Sequence, residues 1–336
     1  MTAVSTQIQL VARPVGWPTH DDFRTVAVEL PALADGEVRV NNEFMSVDPY
    51  MRGRMNDVKS YTPPFVLGET MTGGAIGRVI ASASDELPVG TVVLHQLGWR
   101  DIAQADAANF RAVPELPGVP LSAYLGILGM TGLTAYVGLM EIAGLANGET
   151  VFISGAAGAV GTAAGQIARL KGASRVIGSA GTAEKVALLT EKYGYDAAFN
   201  YKDAPVRQQL ADAAPGGIDV YFDNVGGDHL EAALDAFNDG GRAALCGAIV
   251  SYNSTERTPG PDNMANIITR GLSLKGFTIG KYLQHFPAFS AEMGSWLSEG
   301  KVVFDETVVD GLDNSIDAFL DLMRGANIGK MVVRIS

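Results

Sequence analysis

The sequence has little of what metal sites and disulfides require. Its 336 residues include one cysteine, Cys246, and four histidines. A single cysteine excludes a disulfide within the chain and any cysteine-rich metal site. His20, His95, His229 and His285 show no zinc-ligand spacing, and we expect them to be surface or capping residues. The sequence therefore predicts no metal ligands.

Basic charge is also scarce, since 25 lysines and arginines face 37 acidic residues, for a net charge of −12. This balance argues against nucleic acid as a partner, although a local basic pocket for one phosphate remains compatible with it. The N-terminus lacks the pattern of a secretory signal. Residues 121–140 are uncharged and long enough to span a membrane, but glycines and the polar Thr131 and Thr134 interrupt them. We expect no membrane span and a cytoplasmic protein.

Glycine, by contrast, is abundant and patterned. Gly155, Gly158 and Gly161 follow the apolar run 151–153 at three-residue spacing, before a predicted helix at 162–171 and a second strand at 175–177. This strand–glycine turn–helix–strand order is typical of a dinucleotide site, where a pyrophosphate lies on a helix N-terminus.

The end of the second strand indicates which dinucleotide. NAD sites usually place an acidic residue there, to bind the ribose hydroxyls. This chain has Gly178, Ser179, Ala180 and Gly181 instead, followed by Lys185. A cation with small hydrogen-bonding groups suits a 2′-phosphate, which predicts NADP(H).

The two parts of the chain differ in the secondary structure that their residue patterns predict. Residues 1–120 read as strands and loops, which predicts a partly open β-barrel-like domain. From residue 121, helices and strands alternate as in a doubly wound parallel sheet. We expect the tail, with strands at 302–303 and 331–335, to return to the first domain. Strands of the sheet are predicted at 151–154, 175–178, 196–199, 218–222, 242–246 and 273–278.

Several motifs together resemble one family. They are SVDPYMRGRM (46–55), GMTGLTAY (129–136), SGAAGAVG (154–161), GYDAAFNYK (194–202), GIDVYFDNVGG (217–227), CGAIVSYN (246–253) and ANIGKMVV (326–333). The chain resembles, over nearly its whole length, the zinc-independent medium-chain dehydrogenase/reductases of the leukotriene B4 dehydrogenase/prostaglandin reductase, alkenal/one reductase and curcumin reductase group.

This resemblance implies an α/β protein with a GroES-like catalytic domain (1–122, completed by 301–336) and a Rossmann domain (123–300). It also implies NADPH as cofactor, a homodimer, and reduction of the carbon–carbon double bond of α,β-unsaturated ketones or aldehydes. Catalytic roles are implied for Tyr252 and Tyr61, which would face the substrate carbonyl. The implied cofactor-binding residues are Met130, Thr134, Ala157, Gly158, Ala159, Val160, Ser179, Lys185, Tyr201, Asn224, Cys246, Ala248, Phe277, Ile279 and Asn327.

Hydride addition to the β-carbon of an enone places negative charge on the carbonyl oxygen, and that charge must be stabilised. Tyrosine hydroxyls and a cofactor ribose hydroxyl are the expected donors. Some relatives carry a further tyrosine where this chain has Gly280, and Tyr282 could replace it only if its loop bends inward. Asp48 and Arg52 are interpreted as structural, and Cys246 as a small apolar contact. A quinone reductase and a non-catalytic NADPH-binding protein remain alternatives.

Overall fold

The structure is a computed structural model that describes residues 3–256 and 259–336. The strands are β1 (Ala3–Leu10), β2 (Phe23–Leu30), β3 (Glu37–Ser46), β4 (Ala75–Ser82), β5 (Val92–His95), β6 (Ile102–Asp106), β7 (Arg111–Ala112), β8 (Thr150–Ile153), β9 (Arg175–Ala180), β10 (Ala197–Asn200), β11 (Ile218–Asp223), β12 (Phe237–Leu245), β13 (Ser273–Gly276), β14 (Glu306–Asp310) and β15 (Lys330–Arg334). The helices are α1 (Tyr50–Arg54), α2 (Met130–Val137), α3 (Ala159–Leu170), α4 (Ala183–Glu191), α5 (Val206–Ala213), α6 (Asp228–Ala236), α7 (Ala265–Thr269), α8 (Phe286–Ser298) and α9 (Ser315–Met323).

The chain divides into two compact units. The β-rich unit takes the chain up to Leu125, then Glu306–Asn327 and Met331–Ser336. The parallel-sheet unit takes Gly126–Asp305 and the short segment Ile328–Lys330. Each unit has its own hydrophobic core, as expected of parts that fold around separate sheets.

The β-rich unit is built on antiparallel pairing. Its larger sheet has the order β14-β15-β3-β4-β5-β7, with β6 also paired to β3, and β1 and β2 form a separate pair. Alternate residues of β3, such as Val38 and Val40, point into a core shared with Val79 and Val93. The predicted barrel-like β domain is therefore confirmed as the fold of this part.

The second unit contains a six-stranded parallel sheet of order β10-β9-β8-β11-β12-β13. Counted from β8, this is the order 3-2-1-4-5-6 of the doubly wound dinucleotide-binding fold. The strand order reverses between β8 and β11, so the ligand crevice is expected at their carboxyl ends. The predicted Rossmann sheet is confirmed.

One predicted strand is wrong. Residues 302–303 form no strand, and the strand of the tail begins at Glu306. The reason is a tertiary contact, because the side chain of Gln166 forms hydrogen bonds with both backbone polar groups of Val303. It accepts from the Val303 N–H at 2.8 Å and donates to the Val303 C=O at 2.9 Å. The N–H and C=O of Val303 are therefore paired without hydrogen bonds to a neighbouring strand.

The uncharged stretch 121–140 does not form one continuous helix. It contains a short 3-10 turn at Leu121–Leu125, helix α2, and the start of a π-helical turn at Gly138–Ile142. Within the described residues, no helix has the length and apolar character needed to cross a bilayer.

Candidate functional site

The turn between β8 and α3 presents helix N-terminal groups at the carboxyl edge of the sheet. Gly155 has a φ of +59°, and the N–H of Gly158 donates to its C=O at 3.1 Å. Gly158 is the N-cap of α3, so the first N–H groups beyond it, from Ala159 and Val160, have no acceptor within the helix. With the helix dipole they form an anion site. The residues predicted to hold the pyrophosphate, including Ala157, are therefore gathered in one turn.

Close packing of α3 on the sheet explains three glycines. The Tyr195 ring fills the space beside Gly165 and Gly178, where an added Cβ would lie 2.2 Å and 2.8 Å from ring atoms. The Tyr195 hydroxyl donates to the C=O of Gly161 at 2.7 Å. A Cβ on Gly161 would lie 2.5 Å from the backbone of Ala156. Only glycine lets the helix approach the turn this closely.

Ser179 gives a direct indication that a ligand belongs beside this turn. Its side chain is fully buried, and its Oγ has no hydrogen-bond partner among the described residues. Its C=O accepts from the N–H of Ala156 at 2.9 Å, which places Ser179 against the glycine turn. A buried hydroxyl without a partner is costly. The site therefore fits a polar cofactor group that would complete its bonding.

Two lysines lie beyond the ends of two neighbouring strands, Lys185 after β9 and Lys202 after β10. Lys185 stands in the first turn of α4, and its N–H is capped by Thr182 Oγ1 at 3.2 Å. Burial first, and then the charge of Lys202, lowers the pKa of Lys185. A Cβ on Gly181 would lie 3.1 Å from the Tyr201 hydroxyl, so Tyr201 covers the same strand end. Two neighbouring ammonium groups and a hydroxyl suit a phosphate dianion.

Lys202 is a residue that the sequence analysis missed. It directly follows Tyr201, and its Nζ lies 5.8 Å from the centre of the Tyr201 ring. Its position could have indicated a phosphate contact, because Lys202 lies just after the strand β10, beside Tyr201, which was already predicted to bind the 2′-phosphate. Lysines in such positions are usually solvated, which is why sequence alone did not separate it from the others.

The turn after β11 is organised by a buried carboxylate. Oδ1 of Asp223 accepts from the Tyr221 hydroxyl at 2.7 Å and from the N–H of Gly226 at 2.8 Å. Ser154 Oγ accepts from the N–H of Asn224 at 3.0 Å, and Asn224 Nδ2 donates to the Ser154 C=O at 2.8 Å. Burial raises the pKa of Asp223 despite these bonds. Asn224, predicted at the nicotinamide, is thus held in one orientation, by residues that sequence reasoning did not identify.

The next turn continues from the same aspartate. The N–H groups of Cys246 and Gly247 donate to the Asp223 C=O at 2.8 Å and 3.0 Å. Burial raises the pKa of the Cys246 thiol to about 12, so the thiol stays protonated at neutral pH. This agrees with an apolar contact and not with a nucleophile. Ala248 follows and is exposed.

Tyr252 folds back over this turn. A Cβ on Gly247 would lie 3.5 Å from the Tyr252 hydroxyl oxygen, and the backbone of Ala248 interacts with that hydroxyl. Burial is the main cause that raises the pKa of Tyr252. The hydroxyl therefore keeps its proton and can donate a hydrogen bond at this end of the sheet. Asn224, Cys246, Ala248 and Tyr252 are brought together.

The remaining predicted nicotinamide contacts in this unit lie on two segments. Met130 begins α2 and is about half exposed (47 %), while Thr134 Oγ1 donates to its C=O at 2.7 Å. Phe277 follows β13 and packs edge-to-face on Phe222, with ring centroids 6.4 Å apart. Ile279 begins a short 3-10 turn just after it. Their contact with a cofactor stays a prediction.

Two predicted residues belong to the β-rich unit. Tyr61 is 68 % exposed, and Asn327 is buried. Near Tyr61 lies Tyr50, whose pKa is raised by burial and by the Asp48 carboxylate. Tyr50 was not among the sequence candidates, although it stands inside the motif SVDPYMRGRM.

Arg52 has the structural role that was expected. Its side chain is buried and donates to Asn56 Oδ1 at 2.8 Å and to the Gly16 C=O at 2.8 Å. These bonds fix the start of the loop that carries Tyr61.

The expectation for the histidines is wrong in two cases. His95 and His229 are buried, with 3 % and 4 % of their surface exposed. Burial lowers the pKa of His95 to about 3 and that of His229 to about 4, so both are neutral at physiological pH. In the part of the chain that the structure describes, no three His, Cys, Asp or Glu side chains form a possible metal site.

Comparison with known proteins covers both units. A family model described as the N-terminal domain of oxidoreductase matches residues 6–113, and one described as zinc-binding dehydrogenase matches residues 159–296. The chain is 40% identical to the NADPH-dependent curcumin reductase of Escherichia coli K12, over 97% of this chain and 96% of that protein. It belongs to the medium-chain dehydrogenase/reductases.

Two further relatives place it within this family. Prostaglandin reductase 1 of Sus scrofa is 42% identical, over 95% of this chain and 96% of that protein. The crystal structure of CurA from Vibrio vulnificus in complex with NADPH has 41% identity and a TM-score of 0.93, covering 98% of this chain and 99% of that one. The description "zinc-binding" comes with one of the matched models and contrasts with the prediction of zinc independence, which stays a prediction.

Proposed function

We propose that this protein is an NADPH-dependent reductase that saturates the carbon–carbon double bond of α,β-unsaturated ketones and aldehydes. The reductases to which it is similar are named for NADPH, curcumin and prostaglandin. The observation that carries the cofactor assignment is the pairing of Lys185 with Lys202 beside Tyr201, at a strand end that has no acidic residue from Gly178 to Gly181. A 2′-phosphate would relieve the repulsion between the two cations.

When bound, NADPH supplies the hydride for the β-carbon of the substrate. The turn Ala157–Gly158 and the first residues of α3, Ala159 and Val160, would hold the pyrophosphate through backbone N–H groups. Asn224, fixed by Ser154, would orient the nicotinamide end together with the turn of Cys246 and Ala248. These groups would set the direction from which the hydride reaches the substrate, and correct orientation lowers the barrier to transfer.

Tyr252 stabilises the charge that develops on the substrate carbonyl. A tyrosine hydroxyl is protonated at neutral pH, and burial raises the pKa of Tyr252 further, so this hydroxyl is available as a donor. A hydrogen bond that strengthens as the oxygen becomes negative lowers the barrier and not merely the KM. Tyr61 is proposed as a second donor, from the exposed loop of the β-rich unit.

We propose one role for each unit, with domain boundaries three and five residues before those of the units and with residues 328–330 counted in the catalytic domain. We propose residues 1–122 with 301–336 as the catalytic domain and residues 123–300 as the NADP-binding domain.

The test is NADPH oxidation, followed by absorbance, with a panel of substrates. The panel contains a medium-chain 2-alkenal, a linear enone, a diarylheptanoid enone, a quinone and a saturated aldehyde. We expect turnover of the enones and alkenal, with a saturated carbonyl product identified by mass spectrometry. Turnover of the quinone alone would replace this proposal with a quinone reductase. NADPH binding without any turnover would favour a non-catalytic role.

A further inference from the structure

We propose that Asp305 is a positioning residue of the cofactor site, which holds the segment Ile328–Lys330 against the pyrophosphate turn. The proposal rests on the proposed NADPH function. Asp305 lies about 150 residues along the chain from that turn and shares no motif with it, so only the folded structure connects them.

The Asp305 carboxylate is held by two neighbouring residues from the end of α4. Lys192 Nζ lies 2.6 Å from one carboxylate oxygen and 2.8 Å from the other. The Tyr193 hydroxyl donates to the carboxylate as well, and its ring is almost fully buried. Three hydrogen bonds from a charged and a buried donor fix the side chain more firmly than an exposed ion pair would.

The backbone of Asp305 holds the tail segment. Its C=O accepts from the N–H of Lys330 at 3.0 Å. Gly329 packs directly on the same carbonyl, since a Cβ there would lie 2.0 Å from the Asp305 oxygen. Gly329 has a φ of +62°, so two constraints require glycine at this position.

Gly329 then reaches the pyrophosphate turn. Its N–H donates to the Ala157 C=O at 2.9 Å, and it forms a β-bridge with Gly158, the N-cap of α3. The peptide between Ala157 and Gly158 is therefore fixed from outside the turn. Because the turn is rich in glycine, this fixation removes conformational freedom that NADPH would otherwise have to remove on binding.

These contacts form one continuous path from Lys192 and Tyr193, through Asp305 and Gly329, to Ala157. Burial alone would raise the pKa of Asp305, but the bonds from Lys192 and Tyr193 outweigh burial and lower it. The carboxylate is therefore ionised at neutral pH, where its bonds to both donors are complete.

The experiment compares two ligands in the full-length chain carrying Asp305→Ala. NADPH binding tests the whole site, whereas adenosine 2′-phosphate binding tests only the lysine pair, because it has no pyrophosphate. We expect at least about a fivefold weaker NADPH Kd and an unchanged Kd for adenosine 2′-phosphate. Tyr193→Phe, which removes one hydroxyl and retains the ring, should show the same pattern with a smaller loss.

Glu299→Ala is the matched control. Glu299 is in the same unit and also accepts from a lysine and a hydroxyl, Lys301 Nζ and Ser295 Oγ, both at 2.5 Å. Its loss should leave both Kd values unchanged. Equal weakening of both ligands by Asp305→Ala, or no change for NADPH, would overturn the positioning role. Failure of the unmodified protein to bind NADPH would instead overturn the proposed function.

Discussion

At the scale of single residues, the cofactor preference depends on two lysines. Replacing Lys185 with Ala removes a charge-assisted phosphate contact worth about 1.5–3 kcal/mol, which corresponds to about one to two decades in affinity. We expect a higher KM for NADPH, little change for NADH, and thus a smaller gap between them. Lys202→Ala should also raise the KM for NADPH, because the charge of Lys202 acts on Lys185 and would act on a phosphate bound there.

The control for this prediction is Lys301→Ala, which removes a surface lysine of the same unit that pairs with Glu299. It should leave the preference unchanged. If Lys185→Ala lowered the affinity for NADH as much as for NADPH, the residue would have to be reassigned from the phosphate to the fold.

The Tyr252 hydroxyl is predicted to act in the chemical step and not in the binding of NADPH. Tyr252→Phe retains the ring and removes the hydroxyl, so we expect kcat with an enone to fall roughly tenfold to a hundredfold, while the Kd for NADPH stays near its original value. Steady-state kinetics and direct NADPH titration measure the two quantities separately.

Tyr282→Phe is the comparison for that experiment. The centroid of the Tyr282 ring lies 6.3 Å from that of Phe277 and 6.3 Å from that of His285, so the ring packs beside these two residues. We expect this variant to retain most of its kcat. A larger loss in Tyr282→Phe than in Tyr252→Phe would make Tyr282 the principal donor.

The sequence could predict those site residues whose type and position suit a ligand group directly. Ser179 and Lys185 follow from the missing acidic residue at the end of β9. Asp223 could not be predicted, because a carboxylate at a strand end is ordinary until its bonds to Tyr221 and Gly226 are visible. A motif such as GIDVYFDNVGG contains both kinds of residue, and only tertiary contacts show that Asp223 orients its neighbours.

At the scale of elements, α3 can pack closely on the turn before it because Gly161 has no side chain. Gly161→Ala should increase helix propensity, which alone would stabilise the protein by about 0.5–1 kcal/mol. Its Cβ, however, would lie 2.5 Å from the backbone of Ala156, and backbone cannot give way as a flexible side chain can. We expect the clash to dominate, with a loss of about 1–3 kcal/mol in the free energy of unfolding and weaker NADPH binding.

Gly294→Ala in α8 is the matched control, because a Cβ there meets nothing within 4 Å. Urea unfolding measures the free energy of unfolding of both variants, and Gly294→Ala should raise it slightly. An increase in stability for both variants would show that α3 can shift away from the turn without cost.

Most strand boundaries in the parallel sheet could be predicted closely, because continuous apolar runs mark buried strands, but β12 begins at Phe237, five residues before the predicted start at 242. The prediction at 302–303 failed because two valines resemble a strand, and the pattern does not reveal that Gln166 bonds the backbone there. The strand order also required the structure, since periodicity says nothing about which strands are neighbours.

At the scale of the whole molecule, we predict a homodimer formed through the edge of the parallel sheet. The strand order ends at β13, and Ser273, Lys275 and Gly276 on it are exposed. An edge strand presents backbone donors and acceptors that a second chain can pair with. Ile268, just before this strand, is 85 % exposed, and it adds an apolar side chain beside this edge.

Light scattering coupled to size-exclusion chromatography tests this assembly. We expect twice the monomer mass of 35.3 kDa for the unmodified chain, and a shift toward monomer for Ile268→Asp, because a buried unpaired carboxylate opposes association. Val89→Asp, at an equally apolar and 65 % exposed position of the β-rich unit, is the control and should remain dimeric. A monomer in the unmodified protein would contradict the dimer itself. A dimer unaffected by Ile268→Asp would place its interface elsewhere, so the two results separate the existence of the assembly from the surface that forms it.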